Sequence, residues 1–283
     1  MLRSLYSGVS GMRSNQIKMD VIGNNIANVN TTGFKSGRAR FQDMLSQTLS
    51  YAQAPTAGNL GGVNAQQVGL GVKVGAIDTI MTSGGLQSTN RDLDFAIEGT
   101  GFFMVSQDET ADVPLFTRDG AFYRDYDGNL VNAAGYRVIG YMADDNGVID
   151  KSALTTLKIE NERGARNLET FSIDTSGTII GVYDTGETLA IGQMALAKFE
   201  NAEGLEKMGN SNYRASRNSG AATIDVANSN GFGLVRSGVV EMSNVDLANE
   251  FTDLIITSRS YQANSRTITT SDEMLQELLN LKR

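Results

Sequence analysis

The 283-residue chain contains no cysteine and no histidine. The first absence rules out disulfides and thiolate sites and leaves the redox compartment unread. The second removes the commonest general base, the commonest metal ligand and every Ser-His or Cys-His nucleophile pair. Together they argue against most enzymes, and no catalytic, metal-binding or cofactor-binding residue is assigned. Proline is scarce as well, with Pro55 and Pro114 the only two. No apolar run approaches the length of a membrane span, so membrane insertion is not expected. The N-terminus lacks the compact apolar stretch of a signal peptide, carrying Gly8, Ser10 and Gly11 where Leu and Val would stand, and a cleaved secretory signal is not expected.

What is present is helical periodicity at both ends. Leu247, Phe251, Leu254, Ser258, Tyr261, Ser265, Ile268, Asp272, Leu275 and Leu279 follow one another at alternating spacings of four and three. That is the period of a coiled-coil seam. Leu2, Leu5, Val9, Met12, Gln16, Met19, Gly23 and Ile26 do the same. Neither proline falls in these stretches, so both read as continuous helices. One-sided seams require partners, either each other or copies from other subunits.

Net charge is −8, which disfavours nucleic acid as a partner. Residues 1–45 carry six basic and two acidic side chains, and residues 237–283 four basic and seven acidic. Opposite signs suit pairing of the two ends. Exposed ion pairs contribute only about 0–1 kcal/mol each, so the apolar seams would carry the association.

Between the ends the pattern changes. The first helix runs into an Asn-rich turn, Asn24-Asn25-Ile26-Ala27-Asn28-Val29-Asn30, with Gly33 available for a positive φ. Phe41, Met44, Leu45 and Leu49 suggest a second helix within 34–49. Residues 51–67 read as a loop with Pro55, Gly58, Gly61 and Gly62. Alternation begins near Gly69 with Val72, Val74 and Ala76, and short strand-like runs recur as far as Met194–Phe199. Asp127-Gly128, Asn146-Gly147 and Ser176-Gly177 supply hairpin turns. The fold class expected is α+β, with N- and C-terminal helices forming a coiled-coil unit and a β-rich outer domain inserted. The domains expected are 1–75 (N-terminal helix and linker region), 76–236 (β-rich) and 237–283 (C-terminal helix).

Chemical motifs are weak. Asp144-Asp145-Asn146-Gly147 resembles part of a calcium loop, but Met142 and Ala153 stand at two principal ligand positions, so a polar turn is the better reading. The carboxylate pairs Asp125/Asp127 and Asp92/Asp94 are ordinary in acidic turns and carry no glycosidase argument. Gly69-Leu-Gly71 and Gly99-Thr-Gly101 lack the rest of a phosphate-binding fingerprint.

The stretch from Asp20 to Lys35, DVIGNNIANVNTTGFK, resembles the N-terminal signature of the bacterial flagellar rod and hook axial proteins. The resemblance rests on Asn24, Asn25, Asn28, Asn30, Gly33 and Phe34. It continues through residues 68–74, 93–103 and 116–120, and resumes at 191–193, 199–204 and the C-terminal helix. It implies terminal helices forming an inner coiled-coil layer around an export channel, linked by residues of about 30–75 to an outer β domain. Leu2, Leu5, Val9, Met12, Leu247, Phe251, Leu254, Tyr261, Ile268 and Leu275 would be the assembly seam.

Within the family, the run from Thr257 to Ile268 and the opening Leu5–Gly11 resemble the hook version. The chain is short for a hook protein, and the distal rod stays as the alternative. The resemblance implies a tubular homopolymer that transmits torque, and export by the flagellar type III apparatus. Its partners would be the distal rod, hook cap, hook-length control and hook–filament junction proteins. Phe41 and Leu45 fit a Phe-x-x-x-hydrophobic pattern implied for the export gate; the competing reading is i, i+4 packing on one helical face.

Overall fold

The computed structural model describes residues 2–55, 61–108, 113–144, 146–151, 153–163, 166–184, 186–229 and 231–281. Asp145, Gly58 and the Leu2 side chain lie outside the described residues. The chain divides into two compact units: residues 1–27, 37–80 and 246–283 form the first, and 28–36 with 81–245 the second.

The first unit is built on two long helices, α1 (Leu2–Ala27) and α2 (Leu247–Leu281). α2 starts where Asp246 turns its carboxylate onto the backbone N–H groups of Ala248 (2.9 Å) and Asn249 (3.4 Å), satisfying donors that a helix start leaves free. The two helices pack against each other. Beside them lie two antiparallel ribbons. In the first, β1 (Gly37–Asp43) pairs with β4 (Val72–Thr79) from Gly37 opposite Thr79 to Asp43 opposite Val72, with a register shift between Arg40 and Phe41. In the second, β2 (Ser46–Ser50) pairs with β3 (Gln66–Gly69).

The second helix expected within 34–49 is therefore absent, and this segment is two strands. Phe41 and Leu45 stand at helical spacing, but β1 pairs with β4, some thirty residues later in the chain, and β2 with β3. Arg38 and Arg40 alternate outward beside Asp78, at 3.9 and 3.3 Å. A long-range ladder outweighed a weak local period. The loop expected over 51–67 contains a Gln53–Val63 bridge and ends in β3.

The second unit is a β-sheet built around one long strand, Thr188–Lys198. Thr178–Tyr183 pairs with its first half, while Arg137–Met142, Phe102–Ser106 and Thr223–Val226 pair with the remainder. Every strand pairing between described residues is antiparallel. Phe102–Ser106 is buried on both faces: Phe103 and Val105 join a core with Phe95, Phe122 and Leu130, and Phe102 and Met104 join another with Phe116, Ile139 and Phe199. A continuous apolar run, rather than alternation, is what a strand covered on both sides requires.

The Asp127-Gly128, Asn146-Gly147 and Ser176-Gly177 pairs all sit in tight turns whose glycines have φ of +87°, +78° and +72°. At the calcium-like motif the Gly147 N–H donates to the Asp144 carbonyl at 2.7 Å. Among the described residues no helix is long and apolar enough to cross a membrane.

Candidate functional site

Two kinds of site emerge from the expected residues: a helix pair with exposed apolar surface, and a set of buried polar anchors around the Asn-rich signature.

α1 and α2 run antiparallel. Close contacts pair Gly8 with Ile268 and Gly11 with Asn264, and ion-pair or hydrogen-bond contacts pair Lys18 with Asp253 (3.6 Å) and Asn25 with Glu250 (2.9 Å). Small residues make this approach possible. A Cβ on Gly8 would come within 3.1 Å of Ile268 Cγ1, and one on Gly11 within 2.7 Å of Asn264 Nδ2. The buried hydroxyls of α2 need no partner across the contact, because Thr257 donates to the Asp253 carbonyl (2.6 Å) and Ser271 to the Thr267 carbonyl (2.7 Å) of their own helix.

The expected seam residues are only partly gathered by this pairing. Leu5, Val9, Met12, Leu254, Ile268 and Leu275 are half-buried. Leu247, Phe251 and Tyr261 are exposed, together with Ile255, Ile256, Met274 and Leu278. The contacting stripe on α1 runs through Gly8, Gly11, Lys18 and Asn25, one position away from the apolar series. Much of the apolar stripe is thus left outward.

A groove of about 690 Å³ lies between α1 and the β1–β4 ribbon, lined by Tyr6, Val9, Ile17, Met44, Leu70 and Val72 with Arg3, Arg13 and Lys73 among its other residues. Phe41, in β1, is 40 % exposed, and Leu45, in the turn before β2, is 86 % exposed. They share no helical face, so the competing i, i+4 packing explanation does not apply to them.

The signature residues act as anchors. Asn25 is buried and its amide clasps the backbone of Gly37, donating to the carbonyl (2.8 Å) and accepting from the N–H (2.9 Å), while also donating to Glu250. Asn28 closes the turn after α1, its carboxamide oxygen accepting from the Thr31 hydroxyl at 3.1 Å. Asn24 and Asn30 are exposed. Gly33 has φ +65°, and its N–H donates to the Glu241 carbonyl at 2.8 Å. A Cβ there would lie 2.5 Å from the backbone nitrogen of Asp119, so glycine is required on both counts. Phe34 carries the Lys207 ammonium over its ring, 5.0 Å from the centroid.

Next to them lies a feature the sequence did not announce. Lys35, Arg118 and Glu241 form a buried ionic cluster in the β unit. The Glu241 carboxylate accepts from Lys35 Nζ, from Arg118 (3.2 Å) and from the Gly84 N–H (2.9 Å). Lys35 also donates to the Thr82 carbonyl (2.8 Å), and Arg118 to the carbonyls of Ile97 (3.2 Å) and Gly99 (2.7 Å). Burial pushes the Lys35 and Arg118 pKa values down, and the Glu241 charge opposes that shift. The cluster ties segments 28–36 and 81–88, the 115–119 region and strand Val239–Glu241 into one unit. Its only sequence signal was a carboxylate, Glu241, between Val240 and Met242 in an apolar strand.

Among the described residues no group of three or more His, Cys, Asp or Glu side chains has metal-binding geometry.

Three family models match the chain at these elements. The model described as "Flagella basal body rod protein" matches residues 5–35, which hold α1 and the signature. "Flagellar hook protein FlgE/F/G D1 domain" matches 96–181, and "Flagellar basal body rod FlgEFG protein C-terminal" matches 236–281, which includes α2. The chain is 47 % identical to the flagellar basal-body rod protein FlgG of Bacillus subtilis, with each chain fully covered. It is 32 % identical to the flagellar hook protein FlgE of Borreliella burgdorferi over a 445-residue alignment that also covers both completely. A further hook protein FlgE, from Helicobacter mustelae, is 54 % identical over 145 residues, 51 % of this chain and 32 % of the relative. The family is a structural one with its place in the flagellum, and its members polymerise. This chain belongs to the flagellar rod and hook axial protein family.

Proposed function

We propose that the chain is a subunit of the flagellar hook, polymerising into a bendable tube that carries torque from rod to filament. The hook-like Leu5–Gly11 and Thr257–Ile268 carry this reading, supported by the 54 % identity with the Helicobacter hook protein over 145 residues, 51 % of this chain and 32 % of that protein. The terminal helices would form the inner coiled-coil layer, with Leu247, Phe251 and Tyr261 turned toward neighbouring copies, and residues 76–236 the outer domain. Several apolar side chains at about 1.5–3 kcal/mol each, buried together, would hold the tube. Its partners would be the distal rod, hook cap, hook-length control and hook–filament junction proteins. The accessible Phe41 and Leu45 would be read by the type III export gate, so Phe41→Ala should lower the exported subunit while leaving its cytoplasmic level unchanged.

A straight distal rod is the second reading, favoured by the full-length match to the rod protein of Bacillus subtilis. A strain of the source bacterium deleted for this chain separates them. Basal bodies with complete rods and no hooks support the hook; truncated rods overturn it.

A further inference from the structure

The antiparallel register between α1 and α2 leaves one helix longer than the other. Gly11 lies against Asn264 and Gly8 against Ile268, so the first residues of α1 lie level with about residues 271–273 of α2. The last eight residues of α2, 274–281, run on past that point by about 12 Å at 1.5 Å per residue. This overhang is apolar: Met274, Leu278 and Leu281 recur at spacings of four and three, on one helical face, and Leu281 is 82 % exposed. It is also acidic on its flank, since Asp272, Glu273 and Glu277 occur between residues 267 and 281 without a basic residue. Lys282 and Arg283, which follow, lie outside the described residues.

The same unit holds a receptor of matching character. The groove between α1 and the β1–β4 ribbon is floored by Tyr6, Val9, Ile17, Met44 and Leu70. Arg3, Arg13 and Lys73 stand at it, and all three are exposed. An apolar floor with cations fits an amphipathic helix whose flank is anionic.

We propose that the overhanging end of α2 in one copy docks in this groove of a second copy. Met274, Leu278 and Leu281 enter the groove, and Glu273 and Glu277 meet Arg13 and Lys73. The contact is heterologous, joining two different surfaces of the same chain. Repeated, it makes an open helical series rather than a closed dimer. The proposal rests on the reading of the chain as an axial subunit and specifies which surfaces meet.

The chain has no cysteine of its own, so disulfide trapping has no background. Wild-type subunits are polymerised with small amounts of two full-length variants, Met44→Cys and Leu278→Cys, and the polymer is oxidised. The expected product is a heterodimer of the two variants, absent when the same mixture is oxidised unassembled. Polymers that contain both variants but yield no more heterodimer than an Asn218→Cys/Leu278→Cys control overturn the proposal.

A charge exchange covers the case in which a cysteine variant does not enter the polymer. Arg13→Glu with Lys73→Glu should lower polymer yield at least tenfold, and adding Glu273→Lys with Glu277→Lys to the same chain should restore it. Absence of that rescue also overturns the proposal. A wild-type chain that never polymerises instead overturns the axial reading beneath it.

Discussion

Replacing Glu241 by alanine should destabilise the β unit more than any loss of an exposed charge. Glu241 is almost completely buried and is the shared acceptor for Lys35, Arg118 and the Gly84 N–H. Its removal leaves an ammonium and a guanidinium facing each other in a dry site. Breaking a buried ion pair by deleting one partner costs about 3–5 kcal/mol, because the remaining charge loses its compensation. The Gly84 N–H loses its acceptor too, a cost of about 1–3 kcal/mol unless water reaches it. For a unit of this size each kcal/mol lowers Tm by about 2–4 °C, so the lost ion pair alone should lower it by about 6–20 °C.

Differential scanning calorimetry of the full chain, with near-ultraviolet circular dichroism to follow the β unit, reads the change. Glu98→Ala is the control, because Glu98 pairs with Arg236 at 3.4 Å with both side chains more than half exposed; its effect should stay within about 1 kcal/mol. A Glu241→Ala melting point within 2 °C of the wild type would refute the argument, showing that the cluster contributes nothing as a unit.

Two further outcomes concern the helix pair. Gly11→Leu should loosen it: even a Cβ meets the Asn264 carboxamide at 2.7 Å, and a leucine must displace that side chain, so overpacking of up to about 3 kcal/mol exceeds the roughly 1 kcal/mol that removing a helical glycine returns; hydrogen exchange across 250–275 would rise, and unchanged protection would contradict the packing. The pair should also gain stability on mild acidification. Burial raises the Glu250 pKa above the ordinary 4.5 despite the hydrogen bond from Asn25, so the folded form takes up a proton before the unfolded one. This increment is complete below the unfolded value and lost as pH rises through the folded one. Glu250→Gln should flatten the dependence just above pH 4.5, and an unaltered profile would assign it elsewhere.

Both long helices, of 26 and 35 residues, were legible because a 3.5-residue series recurs through each, with no proline to interrupt it. The two-sided strand Phe102–Ser106 and the Asp-Gly, Asn-Gly and Ser-Gly turns were legible for the same local reason. β1 was not, since its partner lies far along the chain and Phe41 and Leu45 imitate a helix. Strands such as Glu206–Gly209 and Asn212–Arg214 are short and polar, and carry no period to read. The face by which α1 meets α2 was displaced by one position. Gly8, Gly11, Thr257 and Ser271 lie beside the apolar series rather than in it, yet these small residues are buried on the two helices. Beyond the lone carboxylate Glu241 in an apolar strand, the Lys35–Arg118–Glu241 cluster left no local signal, because its members lie up to 206 residues apart in the chain.

The central claim is that the outward apolar face of the terminal helices drives assembly. Its most direct test is electron microscopy and sedimentation of full-length Phe251→Asp and Ile255→Asp, two exposed positions on α2. Each variant should stay a monomer that melts within about 1 °C of the wild type and forms no tubes, since little packing inside one chain is lost. Tubes of ordinary length and symmetry from both variants would contradict it.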